Sequence, residues 1–431
     1  MGVLIDIAYL GLIAALSPVL LYRIATREKY RAGFFQRFGA APRRDGATRC
    51  LWVHAVSVGE AKIVGILIPQ LEKAFPGWEI VISTTTHTGR QIIEKEHPHK
   101  TVFYFPLDFS WVTARCLRRV RPDCLILIEL ELWPNLLRHA ARQGLPVVVV
   151  NGRITEKGAV RHRWLARLAP WLFSGESVKL FCTQNETYAE RLRALGVPSD
   201  CIAVTGMMKH DAMSVEIDAA ARGRMRKLLG IGERELVIVG ASVYTDEVAA
   251  LAAAFGELRE EFPQARLVLV PRHMERLDDM IAAIEDNHLT SVRRSTLSED
   301  SPADLLNGEV VVLVDTMGEL VDICAVASCV FVGKSLFPSA AGGHNMLEPA
   351  GLGRAVLFGP HTANFEEEAR LLMEGGGAVR VRDGAELKGA LADLLTSEEK
   401  RDRLGARARE LVAENQGATA ENIRLLKNIL L

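Results

Sequence analysis

The sequence places a carboxylate where it can act as a base, directly after a hydrophobic segment. Residues 51–56 are mostly apolar, and Gly59-Glu60 follows them after a short turn. Glycine permits a tight turn, and the N-terminus of a following helix favours an ionised carboxylate. An ionised carboxylate can take the proton from an attacking hydroxyl group. Acidic residues are also common in first helical turns, so Glu60 is a candidate for either a general base or a cap.

Other polar groups follow later hydrophobic segments of the first half. Glu129 and Glu131 come directly after an apolar run, and they are either site residues or solvated charges at a helix start. Residues 83–89 are rich in Ser and Thr, which can hold an anion or a sugar or can cap a helix. Arg153 and Lys209 are cations that either neutralise a phosphate or lie in water.

Three segments of the second half together predict a nucleotide pocket. Pro271-Arg272-His273 follows an apolar run, and the planar guanidinium of arginine suits phosphate. Residues 315–320 predict a strand–turn–helix step with free N–H groups, and the glycine-rich loop 342–349 permits close backbone approach. The sequence has no Walker A motif and no dinucleotide-binding GxGxxG motif. It also has no Asp-x-Asp pair that would hold a metal–diphosphate.

These segments require a scaffold that gathers strand ends. Short runs of Val, Ile and Leu alternate with amphipathic segments, which predicts βαβ units and parallel sheets buried on both faces. Strands are predicted at residues 51–56, 79–83, 101–105, 124–129, 146–150, 236–240, 265–270, 310–314, 329–332 and 355–358. Ligands bind such sheets at the carboxyl ends of the strands. The predicted fold class is therefore α/β, with two doubly wound Rossmann-like domains facing each other across a cleft.

The N-terminal segment predicts a membrane anchor helix. Residues 3–22 are apolar at all but three positions, Asp6, Ser17 and Pro18. About 20 apolar residues can just span a bilayer. The basic residues that follow place the C-terminal side in the cytoplasm by the positive-inside rule, and they are Arg23, Arg27, Lys29 and Arg31. The alternative is a helix that lies in the membrane interface or packs on another protein.

Length and composition set the remaining expectations. The 431 residues predict an anchor over 1–28, an acceptor domain over 29–215 and a donor-binding domain over 216–431. The last helices either stay with the second domain or pack back on the first. A formal net charge of −1 gives no basic field for nucleic acid. The seven cysteines are scattered without a CxxC pair, which fits neither a zinc site nor a disulfide framework. No metal ion or cofactor is predicted.

Seven motifs occur in an order that resembles one known family. They are SVGE (57–60), ELELWPN (129–135), VTG-x-x-K (204–209), VPRH (270–273), DTMGEL (315–320), GGHN-x-LEP (342–349) and GPHTANF (359–365). This order resembles the bacterial 3-deoxy-D-manno-octulosonic acid (Kdo) transferases of lipid A biosynthesis, glycosyltransferase family 30. The resemblance runs from about residue 30 to about residue 418. One such motif is a weak signal, whereas seven in order are specific.

The resemblance implies a GT-B fold and an inverting transfer of Kdo from CMP-Kdo to lipid IVA, a tetraacyl-disaccharide 1,4′-bisphosphate. It also implies the bacterial inner membrane as the location, with the catalytic domains in the cytoplasm. The family's base maps to Glu60, and its transition-state groups map to Glu131 or Glu129 and to Lys209. The nucleotide contacts map to Pro271, Arg272, Met317, Gly318, Glu319, Asn345, Met346, Leu347 and Glu348. No divalent ion is expected, because a single phosphate leaves and cations with helix N-termini can meet it.

The sequence departs from the family pattern at several positions. Gln36 stands where the family usually has an acidic residue, and Tyr244 stands where it usually has His. Lys334 replaces the second glycine of a more usual GGS. Met207, Met208 and His210 also differ from the usual residues around the lysine. None of these changes removes a mapped catalytic residue, and they bear on acceptor fit and on donor contacts.

Two other functions fit parts of the pattern. The UDP-GlcNAc 2-epimerases share a two-sheet fold but are soluble, and the apolar N-terminus and the motif order argue against them. A non-catalytic membrane scaffold is the second alternative. The intact residues Glu60, Lys209, Arg272 and Glu348 argue against a scaffold.

Overall fold

The computed structural model describes residues 2–26, 33–213, 217–298, 309–340 and 342–431. The chain divides into two compact units. Unit 1 comprises Met1–Ala212 together with Gln416–Leu431, and unit 2 comprises Met213–Asn415. The boundary predicted between residues 215 and 216 lies outside the described residues, as do Arg27, Lys29 and Arg31.

The core of unit 1 is a parallel sheet of seven strands in the order β3-β2-β1-β4-β5-β6-β7. The strands are β1 (Cys50–Ala55), β2 (Glu79–Thr84), β3 (Thr101–Tyr104), β4 (Cys124–Ile128), β5 (Val147–Gly152), β6 (Leu180–Thr183) and β7 (Ile202–Val204). All side chains of β1, β4 and β5 are buried, because helices cover both faces of the sheet. The continuous Val, Ile and Leu runs of the sequence follow from this burial.

Among the described residues of unit 1, eight helices precede the chain's passage into unit 2. They are α1 (Gly2–Thr26), α2 (Phe34–Arg37), α3 (Val58–Ala74), α4 (His87–Glu96), α5 (Ser110–Val120), α6 (Pro134–Arg142), α7 (Glu156–Leu168) and α8 (Glu186–Ala194). Short 3-10 turns lie at Pro170–Phe173, Ser199–Cys201 and Met208–Ala212. Several helices begin with a side-chain cap, as where Thr86 accepts the Gly89 N–H at 3.1 Å.

Unit 2 contains a second parallel sheet of seven strands, in the order β10-β11-β9-β8-β12-β13-β14. The strands are β8 (Leu236–Val243), β9 (Ala265–Pro271), β10 (Thr290–Arg293), β11 (Val310–Leu313), β12 (Cys329–Val332), β13 (Ala355–Phe358) and β14 (Ala378–Arg380). The helices are α9 (Ala219–Leu228), α10 (Thr245–Leu258), α11 (Leu277–Glu285), α12 (Leu320–Val326), α13 (Leu347–Gly351), α14 (Glu366–Glu374), α15 (Gly384–Thr396) and α16 (Glu398–Glu414). Short 3-10 turns lie at Met274–Arg276, Arg294–Thr296 and Pro338–Ala340. The last helix, α17 (Ala418–Leu430), belongs to unit 1.

The prediction of two parallel α/β sheets is confirmed, but four strands were missed. They are β6, β7, β10 and β14, each three or four residues long. Three of the four, β7, β10 and β14, lie at sheet edges, where one side of the strand has no partner and the hydrophobic run is short. The polar sequence of β10 carries no strand signal of its own.

The N-terminal segment forms a helix but differs from the predicted anchor. Helix α1 contains Pro18 in its interior, and the Asp6 carboxylate accepts a hydrogen bond from Ser110 of unit 1 at 2.8 Å. In the part of the chain that the structure describes, no helix combines the length and the apolar character needed to cross a bilayer. The prediction of a spanning anchor over residues 3–22 is therefore not confirmed.

Candidate functional site

The strand order of unit 1 creates a crevice at one point of the sheet edge. β1 and β4 are parallel neighbours, with His54 paired to Leu127 in register. The chain leaves β1 toward β2 on one side and leaves β4 toward β5 on the other. Ligands of open α/β sheets bind at such a point, outside the carboxyl ends of the strands. The segments that begin there carry Glu60 after β1 and Glu129 and Glu131 after β4.

The Glu60 side chain forms a capping box at the start of α3. Its Oε2 accepts the Val56 N–H at 2.7 Å, and its Oε1 accepts the N–H and the hydroxyl of Ser57 at 3.2 and 2.8 Å. Only 5% of the residue is exposed. Burial raises the pKa of Glu60, the hydrogen bonds from Val56 and Ser57 oppose the rise, and the charge of Glu129 adds to it. The hydrogen bonds of Glu60 are those of a helix cap, which is one of the two roles that the sequence offers for this residue.

Two further carboxylates interact electrostatically with Glu60, since the charge of Glu129 raises the pKa of Glu60 and the charge of Glu60 raises the pKa of Glu131. Burial raises the pKa of Glu131 to about 7, and the charges of Glu60 and Glu129 add to this shift. Burial also raises the pKa of Glu129, whereas Arg153 and Lys209 lower it. Glu129 has a left-handed backbone with φ 60°, a conformation that non-glycine residues rarely adopt. The three predicted acidic residues therefore form one cluster at this edge.

Cations adjoin this acidic cluster. Lys209 is exposed and lies in the 3-10 turn Met208–Ala212. That turn is fixed by Asn151, whose Oδ1 accepts the Met208 N–H at 3.1 Å. Asn151 also has a left-handed backbone, with φ 54°, directly at the end of β5. The structure thus brings the predicted lysine and Arg153 beside the carboxylates, and it adds Arg161, which lowers the pKa of Glu131.

Three aromatic rings pack beside the segment that carries Glu129 and Glu131. The rings of His54 and Phe105 stack with centroids 3.7 Å apart, and Phe105 packs against Trp133 at 5.2 Å. Burial lowers the pKa of His54 to about 3, so the ring is neutral. His54 and Phe105 are buried and Trp133 is half-buried, so this packing connects the end of β1 to the segment that carries Glu131.

The Ser- and Thr-rich segment 83–89 has a structural role in this arrangement. The Thr85 hydroxyl donates to the Val56 carbonyl at 3.0 Å, and Thr86 caps α4. Of the two interpretations offered by the sequence, helix capping is the one that the hydrogen bonds support. Thr85 therefore ties the β2 end to the turn that carries Glu60.

The sheet of unit 2 has an equivalent crevice between β8 and β12. The two strands are parallel neighbours, with Ala241 paired to Val332. The loops at their carboxyl ends are joined by Glu247, which is fully buried. Its carboxylate accepts the backbone N–H groups of Tyr244, Lys334, Ser335 and Leu336 at 2.8 to 3.1 Å. One carboxylate thereby fixes both loops.

Basic and aromatic side chains gather at this second crevice. Tyr244 stacks on His344, with ring centroids 6.1 Å apart, and its hydroxyl lies 3.3 Å from His273 Nε2. Burial lowers the pKa of His344 to about 4, and the charges of Arg272, Lys334 and His273 lower it further. The Nε2 of His344 is buried without a hydrogen-bond partner in the described structure. Such a cationic surrounding suits an anionic ligand.

The glycine-rich loop 342–349 is supported by the motif at 359–365. Gly342 has φ 133° and Gly343 has φ 73°, and a Cβ at Gly342 would lie 2.5 Å from the Asn364 side chain. The Asn364 N–H donates to the Gly342 carbonyl at 2.8 Å. Glycine is therefore required where this loop packs against its support.

The predicted nucleotide residues occupy three loops of unit 2. Asn345 donates to the Glu348 carboxylate at 3.0 Å and accepts the Leu347 N–H at 3.2 Å. Met346 and Leu347 are buried, whereas Met317 is 81% exposed beside Gly318. Glu319 pairs with Arg294 at 2.6 Å and also accepts the Thr316 hydroxyl. Pro271 ends β9 and is buried, and Arg272 is exposed.

Sequence reasoning missed several residues that shape these edges. Glu247 and Arg161 act through contacts with residues distant in sequence, and the sequence assigned neither of them a role. Tyr244 and Lys334 were noted only as departures from a pattern, and both lie at the unit 2 crevice. The signal that was available is their position directly after predicted strands. Among the described residues, no three His, Cys, Asp or Glu side chains are grouped to hold a metal ion.

Solved structures define the class of fold. A glycosyltransferase from Rickettsia africae matches with a TM-score of 0.57 at 10% identity, over 89% of this chain and 99% of that one. UDP-GlcNAc 2-epimerase from Neisseria meningitidis matches with a TM-score of 0.57 at 16% identity, over 88% and 100%. At such identities the likeness shows the fold alone, a GT-B-like pair of parallel α/β units.

Sequence relatives then define the family. Residues 32–212 match the model of the 3-deoxy-D-manno-octulosonic-acid transferase (kdotransferase) family. The 3-deoxy-D-manno-octulosonic acid transferase of Haemophilus influenzae is 30% identical over 98% of this chain and 95% of its own. The chain therefore belongs to the Kdo transferase family of glycosyltransferases, and the resemblance in its motifs is confirmed.

Proposed function

We propose that this protein transfers Kdo from CMP-Kdo to the lipid A precursor lipid IVA in lipopolysaccharide biosynthesis. The observation that carries the proposal is the carboxylate cluster of Glu60, Glu129 and Glu131 at the unit 1 crevice. Inverting transfer is a single displacement in which an acceptor hydroxyl attacks the anomeric carbon as CMP leaves. The hydroxyl becomes a good nucleophile only as its proton is removed.

Glu60 is the proposed base, and its hydrogen bonds support this role. A carboxylate has about four lone-pair positions. Oε1 accepts two bonds from Ser57 and Oε2 accepts one from Val56, so Oε2 keeps a position for the acceptor hydroxyl. The backbone N–H donors favour the ionised form, which a base requires. The capping geometry therefore orients the carboxylate without using all of it.

Lys209 and the two other carboxylates have the second role in the proposal. Lys209 is exposed and bears on the titration of Glu129, so its ammonium group is available to developing negative charge. The raised pKa of Glu131, about 7, lets this carboxyl hold a proton at neutral pH and donate a hydrogen bond. We assign Lys209 with Glu131 or Glu129 to transition-state stabilisation.

Unit 2 is the proposed donor site. Arg272 meets the phosphate of CMP, and Glu348 meets the ribose. Pro271, Met317, Gly318, Glu319, Asn345, Met346 and Leu347 supply the remaining nucleotide contacts. Support comes from the cationic surrounding of His344 and from the glycine-rich loop 342–349, where Gly342 and Gly343 have positive φ. A single phosphate leaves, so these cations replace a divalent ion and no cofactor takes part.

We also propose that the protein acts at the cytoplasmic face of the inner membrane through an interfacial α1. Six apolar or aromatic side chains of this helix are exposed, and they are Ile7, Leu10, Ile13, Leu16, Val19 and Tyr22. A helix that exposes apolar side chains can bury some of them in the membrane interface. The lipid acceptor is held in the same layer.

The direct test is a transfer assay with the full chain in detergent. The protein is incubated with lipid IVA and a CMP-Kdo generating system, and the lipid product is analysed by mass spectrometry. We expect a product heavier than lipid IVA by one or more Kdo units. No such product from folded protein, or product formed equally without the protein, overturns the proposal.

A further inference from the structure

Helix α1 is joined to unit 1 by polar contacts at one place. Asp6 Oδ1 accepts the Ser110 N–H at 2.8 Å and the Asn135 side-chain N–H at 3.0 Å. Asp6 Oδ2 accepts the Ser110 hydroxyl. One turn further along α1, the Tyr9 hydroxyl donates to Asp108 at 3.1 Å, and its ring packs edge-on against Phe109 at 5.9 Å. The polar residue that interrupts the apolar segment is therefore the point of attachment.

These two carboxylates cap two helices that have no caps of their own. The N-cap residues of α5 and α6 are Phe109 and Trp133, and neither makes a side-chain cap bond. Asp6 takes the first N–H of α5, at Ser110. Asp108 takes the N–H groups of Asn135 and Leu136 in α6, each at 2.9 Å. Carboxylates at helix N-termini are stabilised by the free N–H groups and by the helix dipole.

Asn135 connects the two caps. Its side-chain nitrogen donates to Asp6 at 3.0 Å and to the Asp108 carbonyl at 2.6 Å, and the residue is fully buried. Asp108 itself is only 5% exposed. The Asn that closes the ELELWPN motif is thus occupied in attaching α1, while the two glutamates of the motif lie at the crevice.

The attachment lies at the end of the segment that carries the acidic cluster. Glu131 is three residues before Pro134, the first residue of α6, and Trp133 between them packs on Phe105. The segment from Glu129 to Trp133 forms no helix or strand, so its course is set by the packing of its apolar side chains on the core and by how its two ends are held. β4 holds one end, and the Asp108 cap on α6 holds the other.

We propose that α1 is a built-in part of the catalytic edge, and that Asp6, Tyr9 and Asp108 are positioning residues for Glu131. This inference rests on the proposed function, because Glu131 is assigned its role there. It differs from a view of residues 1–22 as a removable anchor. Loss of the α1 contacts would let the α6 start shift and would displace the Glu131 carboxyl, and displacement by about 1 Å can cost up to about 10²-fold in rate.

The test compares four variants of the full chain in detergent, where membrane attachment does not limit the reaction, and they are Asp6→Ala, Asp6→Asn, Tyr9→Phe and Ser17→Ala. Asp6→Ala removes the cap and the link to Asn135, whereas Asp6→Asn keeps an acceptor for Ser110 and Asn135. Ser17→Ala is the matched control, because in the described structure the Ser17 hydroxyl donates its hydrogen bond within α1, to the Ala14 carbonyl at 2.8 Å. Each variant is assayed for kcat and for the KM of CMP-Kdo, and its amide hydrogen exchange is followed in peptides that cover residues 132–140.

We expect Asp6→Ala to lower kcat by about tenfold or more, with an unchanged KM for CMP-Kdo. Exchange in the 132–140 peptides should accelerate, and Asp6→Asn and Ser17→Ala should behave as the wild type in both measurements. Tyr9→Phe keeps the ring contact with Phe109 and should give a smaller fall in kcat. A merely stabilising contact would lower the melting temperature without this split between kcat and KM.

Two results overturn the positioning role. Unchanged exchange in Asp6→Ala shows that α1 does not hold the start of α6. Accelerated exchange with normal kcat shows that the start of α6 does not position a catalytic group. If the wild type itself transfers no Kdo, the proposed function fails, and the exchange data still decide whether Asp6 holds α6.

Discussion

The two crevices of this protein share a topology and differ in charge. Each lies where neighbouring parallel strands send the chain in opposite directions, between β1 and β4 in unit 1 and between β8 and β12 in unit 2. The first gathers Glu60, Glu129 and Glu131. The second gathers the cations and imidazoles around His344. Under the proposed function, the same scaffold supports proton removal in unit 1 and anion binding in unit 2.

The two edges also use carboxylates differently. Glu247 in unit 2 is fully buried and accepts hydrogen bonds from four backbone N–H groups. Its carboxylate therefore has a structural role, because it holds two loops together. Glu60 in unit 1 accepts three hydrogen bonds and remains 5% exposed. A carboxylate with unused acceptor capacity at a crevice can meet a substrate, whereas a saturated one cannot.

The largest expected effect comes from a substitution in the acidic cluster of unit 1. Glu60→Gln preserves shape and removes basicity, so kcat should fall by at least about 10²-fold. The melting temperature should fall only modestly, since the amide oxygen of Gln keeps one of the two acceptor oxygens that bind Val56 and Ser57, and a hydrogen bond at the other is lost. Steady-state kinetics with lipid IVA measures the change. Glu186→Gln, another acid in a first helical turn but exposed, is the matched control and should keep full activity.

Near-normal turnover of Glu60→Gln would show that Glu60 is only a cap. The base would then lie elsewhere in the cluster, with Glu131 as the next candidate. An unfolded variant would show that its role is structural.

The second effect comes from a substitution among the basic side chains at the unit 2 crevice. Arg272→Ala should weaken CMP binding by about 1.5–3 kcal/mol, the scale of a hydrogen bond to a charged group. Calorimetry with CMP measures this change. Arg276→Ala is the control, because Arg276 is also exposed and lies four residues further on, at the end of the 3-10 turn Met274–Arg276. Equal CMP affinity in wild type and Arg272→Ala would remove Arg272 from the phosphate site.

The third effect distinguishes the two crevices by the pH dependence of stability that each contributes. The pKa of Glu131 is raised to about 7, so its ionisation in the folded state costs stability as the pH rises from about 4.5 to about 7. The pKa of His344 is lowered to about 4, so protonation costs stability as the pH falls from about 6.5 to about 4. Glu131→Gln should therefore gain melting temperature relative to wild type at pH 8, and His344→Asn should gain it at pH 5.

Thermal melts at pH 5, 6.5 and 8 compare the two variants with the wild type. Parallel pH profiles for wild type and both variants would contradict the assigned shifts. Because the two groups titrate in opposite directions, each variant is a control for the other.

The smallest effect concerns metal ions. Activity should survive EDTA, because the proposed mechanism has protein cations in unit 2, and no divalent ion, meet the departing CMP phosphate. An activity loss that added magnesium restores would contradict this part of the account.

The sequence predicted the two sheets and the residues at their edges because both depend on local patterns. Runs of Val, Ile and Leu mark buried parallel strands, and the residues that follow such runs must lie at the carboxyl edge. The edge strands β10 and β14 were missed, since short or polar edge strands carry little of that pattern. The type of each sheet is therefore readable in the sequence, and its outer limits are not.

The contacts that complete the edges could not be predicted in the same way. Asp6 bonds to Ser110, 104 residues away, and Glu247 bonds to Ser335, 88 residues away. Asp6 was interpreted as an interruption of an apolar segment, yet its charge is satisfied by a helix N-terminus. Pairings of this kind depend on tertiary packing, which no local spacing reveals.

The division of roles between the two edges is tested most directly by one calorimetric titration of CMP into three proteins. The account predicts that Glu60→Gln binds CMP with wild-type affinity although it has lost turnover, and that Arg272→Ala binds CMP more weakly by about 1.5–3 kcal/mol. The opposite pattern, with CMP affinity lost in Glu60→Gln and kept in Arg272→Ala, would contradict the account.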